Sequence, residues 1–206
     1  MSTNAPQNQL DSVDLEDGHV FQTAFLPPEI TPDSQMFEAL WSLHPLEQHE
    51  IMIHGRLVKT PRWQQAYDRN YHYTGKVNEA LPAPMILQPT LAWVRETIDD
   101  RLNGILVNWY DGALGHYIGP HHDSTIGLVA GAPIVTISFG EVRSFRLTRE
   151  VNGERRVHDF PTLPGRVFVM PFDTNLAWKH SVPKSARAKG RRISITLRAF
   201  KADHRD

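Results

Sequence analysis

The second half of this 206-residue chain is a succession of short runs rich in β-branched and aromatic residues, with Gly, Pro, Asn and Asp between them. The runs are ILVNWY, APIVTISF, SFRL, RVFVM and RISITLRAF, and all of them follow Gly104. This texture is typical of strands separated by turns. Many short strands in succession favour a β-sandwich or a jelly roll. We therefore expect a mostly β protein of the α+β class.

Two segments before Gly104 predict the flanking helices. The segment Thr31-Pro32-Asp33 supplies an N-cap, a first-turn proline and an acid, and apolar residues follow it at helical spacing. A second helix is expected to begin at Pro89 and to stop at Asn103-Gly104. Between the helices, residues 50–86 alternate aromatic, basic and polar groups, which predicts hairpins and loops.

The length fits one ordinary domain, which we place at residues 21–206. Residues 1–20 are polar and acidic with little periodicity, and they predict a flexible tail. This N-terminal stretch has neither the basic start nor the apolar run of a signal peptide, so we expect a cytoplasmic location. No apolar run approaches the roughly 20 residues that span a bilayer. We expect a monomer.

Charge is distributed unevenly along the chain. Residues 1–100 carry 6 Lys and Arg against 14 Asp and Glu, whereas residues 101–206 carry 16 against 9. The halves therefore have formal charges of −8 and +7. The positive charge is densest from Lys179 to Arg192, a stretch that is expected either to face a polyanion or to form a solvated basic loop.

Absence of cysteine from the sequence leaves histidines and carboxylates as the metal ligands. In an extended IGPHHDS segment, His121 and Asp123 project to one side and His122 to the other. With His180 from a distant strand they would complete the two-histidine, one-carboxylate set that non-haem iron uses. An isolated H-x-D can equally be formed by ordinary surface or core histidines.

The last predicted strand alternates strictly. One face carries Ile193, Ile195, Leu197 and Ala199, and the other carries Arg192, Ser194, Thr196 and Arg198. If the polar face lines a cavity, a dicarboxylate would pair its two arginines, whereas an exposed face or Asp and Glu partners would need no ligand. By the same spacing, Asn108 and Tyr110 add an amide and a phenol to that cavity, unless the tyrosine is purely structural.

Taken in order, N-x-Y, H-x-D, a distal His and R-x-S-x-T-x-R resemble the AlkB family of nucleic-acid demethylases over residues 53–200. The resemblance implies a double-stranded β-helix (jelly roll) barrel over residues 104–200. It implies Fe(II) on His121, Asp123 and His180. It also implies 2-oxoglutarate, the co-substrate used with O2, among Asn108, Tyr110, Arg192, Thr196 and Arg198.

Nearest in pattern is the family branch that repairs duplex DNA, which implies a substrate-recognition lid over residues 53–86. In that lid Arg62 is expected to contact phosphate, and Tyr71 and Tyr73 to enclose a flipped base, although these tyrosines could instead pack a hairpin. His54 stands where the branch places an aromatic finger. Ser124 follows the H-x-D where the family usually carries acidic residues.

The implied function is oxidative demethylation of alkylated bases in DNA or RNA, which releases succinate, carbon dioxide and formaldehyde. Nucleic acid is therefore the expected partner. Two alternatives remain at this level: an oxygenase of the same chemistry that hydroxylates a small molecule or a protein, and a non-catalytic jelly-roll binding module.

Overall fold

The computed structural model describes residues 10–53, 55–73 and 76–202, without the side chains of Ile53 and Tyr73. The strands are β1 (Asp11–Asp14), β2 (Val20–Phe25), β3 (Glu50–Ile53), β4 (Arg56–Lys59), β5 (Trp63–Tyr67), β6 (Tyr71–Tyr73), β7 (Lys76–Asn78), β8 (Ala80–Leu81), β9 (Gly104–Asp111), β10 (Ile118–His121), β11 (Ile134–Gly140), β12 (Ser144–Val151), β13 (Glu154–Pro161), β14 (Arg166–Met170), β15 (Lys179–Val182) and β16 (Arg191–Arg198). The helices are α1 (Ser34–Trp41), α2 (Gln88–Thr97) and α3 (Phe172–Ala177), with 3-10 turns at Pro28–Ile30 and Met85–Leu87. Among these helices none is long and apolar enough to cross a membrane.

Two sheets form the body of the protein. The larger sheet has eight strands in the order β1-β2-β14-β11-β16-β9-β5-β8, and the smaller has four in the order β10-β15-β12-β13. Neighbouring strands are antiparallel except β5 and β8. From β9 to β16 the chain crosses between the two sheets at every connection except the β12–β13 hairpin, which confirms the jelly-roll prediction.

The central strand β16 is buried on both faces, because each face of the large sheet is covered. One face carries Ile193, Ile195 and Leu197 into a core that also contains Leu40 of α1 and Leu91 of α2. A second core joins strands of the large sheet to Phe145 and Leu147 of β12. The polar residues of β16 therefore lie on the face toward the small sheet.

The first helix begins later than the sequence predicts. Asp33, not Thr31, is the N-cap of α1, and its carboxylate accepts a hydrogen bond from the Met36 N–H at 2.8 Å. Thr31 instead ends the preceding 3-10 turn, where its hydroxyl donates to the Pro27 carbonyl. The second helix starts as expected beside Pro89 but ends at Thr97, before the predicted stop.

Part of the predicted N-terminal tail is a strand. Residues 11–14 pair with β2 at the edge of the large sheet, and Leu15 is fully buried. The acidic residues of this segment occupy the solvent side and the turn, where Glu16 and Asp17 adopt positive φ. A polar edge strand lacks the alternation of a half-buried one, so composition alone mistook it for a tail. Residues 1–9 lie outside the described range.

The hairpins predicted over residues 50–86 are present. Strands β3 and β4 form one two-stranded sheet and β6 and β7 another, whereas β5 between these hairpins joins the large sheet beside β9. On the first hairpin Met52, Leu57 and Val58 are exposed. His54, the predicted finger at its tip, lies outside the described residues.

Candidate iron and 2-oxoglutarate site

Three predicted metal ligands meet between the sheets. His121 ends β10 and lies directly opposite His180 of β15 in the strand register, and Asp123 follows two residues later. One ligand atom from each residue lies within 4.8 Å of the others. The Asp123 Oδ1 is 3.7 Å from the His121 Nε2 and 3.6 Å from the His180 Nε2. These atoms converge on one point, as a mononuclear metal site requires, and the exposed His122 points away.

Both histidines are prepared to bind a metal ion as neutral imidazoles. The Nδ1 of His121 lies 2.9 Å from the Gly119 carbonyl and donates to it, which leaves the Nε2 lone pair for a metal. Burial lowers the pKa of His121, and burial together with the neighbouring His121 lowers the pKa of His180 to about 3. Protons therefore do not compete with a metal ion near neutral pH.

The two carboxylate oxygens of Asp123 contact different groups. Oδ2 accepts from the Nε and Nη2 of Arg198 at 3.0 and 2.6 Å, while Oδ1 faces the two histidines. The Tyr71 hydroxyl also lies 3.4 Å from Oδ1. Burial by itself would raise the pKa of Asp123, but the charge of Arg198 and the adjacent histidines outweigh burial and hold that pKa below its usual range. The carboxylate is thus ionised and directed at the metal position.

Arg192 supplies the second expected feature, a buried cation that has no acidic partner among the described residues. Its side chain is 1% exposed, and its Nη2 donates to the Ser138 hydroxyl at 2.7 Å. The Nε and Nη1 atoms are buried without an acceptor in the described part of the chain. Burial lowers the pKa of Arg192 to about 10, and Tyr110, whose ring centre is 5.0 Å away, partly offsets that effect. A guanidinium left in this state fits a ligand carboxylate.

The two cavity arginines therefore differ from the expectation that both face a dicarboxylate. Arg198 is already paired with Asp123, so Arg192 is the one left for an anion. The register explains the rest of this wall, because Arg192 lies opposite Tyr110 and Ser194 lies opposite Asn108 on β9.

A single pocket encloses these groups. Asn108, Tyr110 and Thr196 line it, as predicted for the 2-oxoglutarate side, and Thr196 lies within 3.4 Å of the Thr136 hydroxyl. The three metal ligands also line this pocket, and the rest of its wall is formed by Arg62, Tyr71, Leu106, Ile118, Thr136, Phe145, Ser181, Val182, Arg192, Ser194 and Arg198.

The structure places some of the predicted substrate residues in the pocket wall and others away from it. Tyr71 lines the pocket, and its ring lies 4.4 Å below the Arg198 guanidinium. Arg62 is buried rather than on the surface where a phosphate contact was expected: its guanidinium donates to Asn108 at 2.8 Å and to Gln64 at 3.0 Å. Ser124 accepts from the Ile126 N–H and is not part of the pocket wall. The Tyr73 side chain lies outside the description.

The sequence analysis missed three residues that support the site. Phe145 stacks on His180 with ring centres 5.6 Å apart. Ser138 accepts from Arg192. Asn175 contacts the backbone of Asp123 from a helix 52 residues further along the chain. Each contact joins two different elements, so the local sequence does not predict it. The one clue concerned Ser138, because alternate residues of β11 lie on one face of the sheet.

Two facing sheets that bring two imidazoles and a carboxylate into one pocket define a jelly-roll protein with a facial triad of the kind used by non-haem iron oxygenases. The chain belongs to the 2OG-Fe(II) oxygenase superfamily, whose family model matches residues 24–198. Members of this class use Fe(II), 2-oxoglutarate and O2. The triad fits the first, and Arg192, which has no acidic partner in the described part of the chain, fits the second.

Comparison with individual proteins confirms the AlkB-like resemblance. The chain is 30% identical to the DNA oxidative demethylase ALKBH2 of Homo sapiens over 159 residues and to that of Mus musculus over 160, which is 72% of this chain in each case. It spans 60% of the human protein and 66% of the mouse protein. A solved structure, "The structure of OsALKBH1", matches with a TM-score of 0.58 and 13% identity over 92% of this chain and 100% of that one, which supports the fold.

Proposed function

We propose that the chain is an Fe(II)- and 2-oxoglutarate-dependent oxidative demethylase of alkylated bases in DNA or RNA. The observation that carries the proposal is that one pocket contains both the His121, Asp123 and His180 triad and the buried Arg192, which has no acidic partner among the described residues. Relatives that are named DNA oxidative demethylase support the choice of substrate.

Iron and 2-oxoglutarate, when bound, supply the oxidising chemistry: O2 converts 2-oxoglutarate to succinate and carbon dioxide and adds one oxygen atom to a substrate C–H bond. A hydroxylated N-methyl group then leaves as formaldehyde. The protein positions these reactants. His121 and His180 present neutral Nε2 atoms, and Asp123 presents one ionised oxygen because Arg198 occupies the other.

Arg192 would bind the far carboxylate of 2-oxoglutarate, with Tyr110 beside it and the Ser138 hydroxyl accepting from one end of the guanidinium. The apolar side chains of Leu106, Ile118 and Val182 line the same pocket. The charge of Arg192 and the three metal ligands would together hold the co-substrate.

Two surface features support a nucleic-acid substrate. Lys184, Arg187 and Lys189 are exposed on the loop between β15 and β16. The hairpin of β3 and β4 carries exposed apolar side chains, which soluble proteins usually bury unless they bind something. We propose that the basic loop contacts phosphates and that the hairpin contacts bases. The monomeric state and the cytoplasmic location stay predictions.

A turnover assay tests the proposal. Purified protein with Fe(II), 2-oxoglutarate and O2 is incubated with N-methylated single- and double-stranded oligonucleotides, and formaldehyde and succinate are measured against unmethylated oligonucleotides. Formaldehyde in a 1:1 ratio with succinate, only on methylated strands, is the expected result. Turnover on methylated metabolites or peptides instead would support a hydroxylase of the same chemistry.

A further inference from the structure

The backbone of Asp123 lies beyond the end of strand β10 and makes no strand pairing. Strand β10 ends at His121, and residues 122–125 belong to no strand. Asp123 is nevertheless 4% exposed, so its N–H and C=O need partners other than water. A ligand residue outside a ladder is free to shift unless another part of the fold fixes it.

Asn175 supplies both missing bonds. Its Oδ1 accepts from the Asp123 N–H at 3.0 Å, and its Nδ2 donates to the Asp123 carbonyl at 3.1 Å. A carboxamide carries one acceptor and one donor side by side, so this side chain takes the place of a neighbouring strand at one residue. Asn175 is fully buried, and neither bond can be replaced by solvent.

The helix that carries Asn175 is itself fixed and leads to another ligand. The neighbouring Thr174 hydroxyl donates to the Val20 carbonyl of β2 at 2.8 Å, and the Trp178 N–H donates to the Thr174 carbonyl at 2.8 Å. Five residues after Asn175 the chain reaches His180 in β15. One short segment therefore provides one metal ligand and holds the backbone of a second.

We propose that Asn175 is a positioning residue for the metal ion, which fixes Asp123 Oδ1 relative to the His180 Nε2. The proposal rests on the iron site of the proposed function and goes beyond it, because Asn175 touches neither metal nor 2-oxoglutarate. Without the carboxamide, Asp123 loses two backbone bonds, and the side-chain pairing with Arg198 alone no longer fixes Oδ1 relative to the His180 Nε2. Metal affinity falls even where the sheets stay folded.

The test measures metal binding alone. Co(II) is titrated into the apo protein without 2-oxoglutarate or O2, by calorimetry and by its visible absorption bands, for wild type, Asn175→Ala and Thr174→Val. The threonine variant is the matched control, because it removes a buried hydrogen bond from the same helix without touching Asp123. We expect Asn175→Ala to lose about 10- to 100-fold in Co(II) affinity and to change the absorption bands. Thr174→Val is expected to keep the wild-type affinity and spectrum.

Melting of the apo proteins shows whether each variant is folded. If Asn175→Ala does not fold, Asn175→Ser serves in its place, since a hydroxyl is too short to span both backbone groups. Wild-type Co(II) affinity in a folded Asn175 variant overturns the proposal. An equal loss of Co(II) affinity in the Asn175 and Thr174 variants also overturns it. If wild-type protein binds Co(II) but demethylates no oligonucleotide, the proposed function fails while the role of Asn175 is still tested.

Discussion

Arg198 donates two hydrogen bonds to a single oxygen of Asp123, at 3.0 and 2.6 Å from Oδ2, and leaves Oδ1 directed at the two histidines. This pairing makes the carboxylate a ligand through one oxygen. It also separates the tasks of the two cavity arginines, because Arg192 has no such partner in the described residues.

The metal ligands should be separable from their neighbour by mutation. His121→Ala, Asp123→Ala and His180→Ala are each expected to abolish iron-dependent succinate formation, since their ligand atoms converge on one point. His122→Ala is expected to retain turnover because this side chain is exposed and directed elsewhere. Succinate released per minute is the measurement. An inactive His122→Ala beside an active His121→Ala would reverse the ligand assignment.

Replacing Arg192 and replacing Arg198 should affect different properties, 2-oxoglutarate binding and metal binding respectively. Arg192→Ala is expected to raise the KM for 2-oxoglutarate by about 30-fold or more, because truncating one partner of a buried charge pair costs about 2–5 kcal/mol. Arg198→Ala is expected instead to weaken Co(II) binding, since it removes the partner of Asp123. Arg191→Ala, at a surface residue paired with Glu38, is the control. Equal effects of the two cavity variants on 2-oxoglutarate would contradict this division.

The stability of the apo protein should depend on pH through buried histidines. Burial lowers the pKa of His116, whose Nδ1 accepts from the Asp111 N–H. The unfolded state therefore binds a proton below about pH 6.5 that the folded state does not take up, so stability is complete above that pH and falls as the pH drops. Urea unfolding at pH 7.5, 6.5 and 5.5 should show this decline in the free energy of unfolding. In His116→Gln that free energy should fall less steeply as the pH drops. The same pH dependence in the variant and the wild type would assign the decline to other groups.

Replacing the exposed basic loop should change salt dependence. The triple variant Lys184→Ala, Arg187→Ala, Lys189→Ala is expected to bind oligonucleotides of any sequence more weakly, with a slope of log affinity against log salt shallower by about 2–3 units. Arg101→Ala, on the connection after α2 and paired with Asp99, should leave the slope unchanged. Fluorescence anisotropy at four salt concentrations measures both. A wild-type slope in the triple variant would remove the loop from the interface.

Tyr71 should matter through its ring and its hydroxyl separately. Tyr71→Phe keeps the ring but removes the hydroxyl that contacts Asp123 Oδ1, and it is expected to lower demethylation modestly. Tyr71→Ala also removes the ring that packs against Arg198. It is expected to lower demethylation much further, because the lost stacking on a base is worth about 1–3 kcal/mol. The salt dependence of oligonucleotide binding should not change. Equal activity of the two variants would show that the ring has no role.

Parts of the site followed from local spacing. The i, i+2 rule placed His121 and Asp123 together, and it placed Arg192, Ser194, Thr196 and Arg198 on one face, because side chains alternate along an extended backbone. The same rule had no information about residues in helices or about strand partners. It therefore missed Asn175 in a short helix, and it could not tell that the polar segment of residues 11–14 would find a partner at the edge of a sheet.

By itself the sequence determined the strand-rich fold, the ligand types and the parity of each strand, since these depend on residue chemistry and on a two-residue period. Only the tertiary structure decided which groups are paired. Arg198 binds Asp123, Arg62 is buried against Asn108, and Asn175 holds the metal ligand's backbone, whereas Arg192 meets no acid within the described ranges. These pairings join residues 46 to 75 positions apart or leave one unpaired. Their partners are set by strand register and sheet packing, which no local pattern contains.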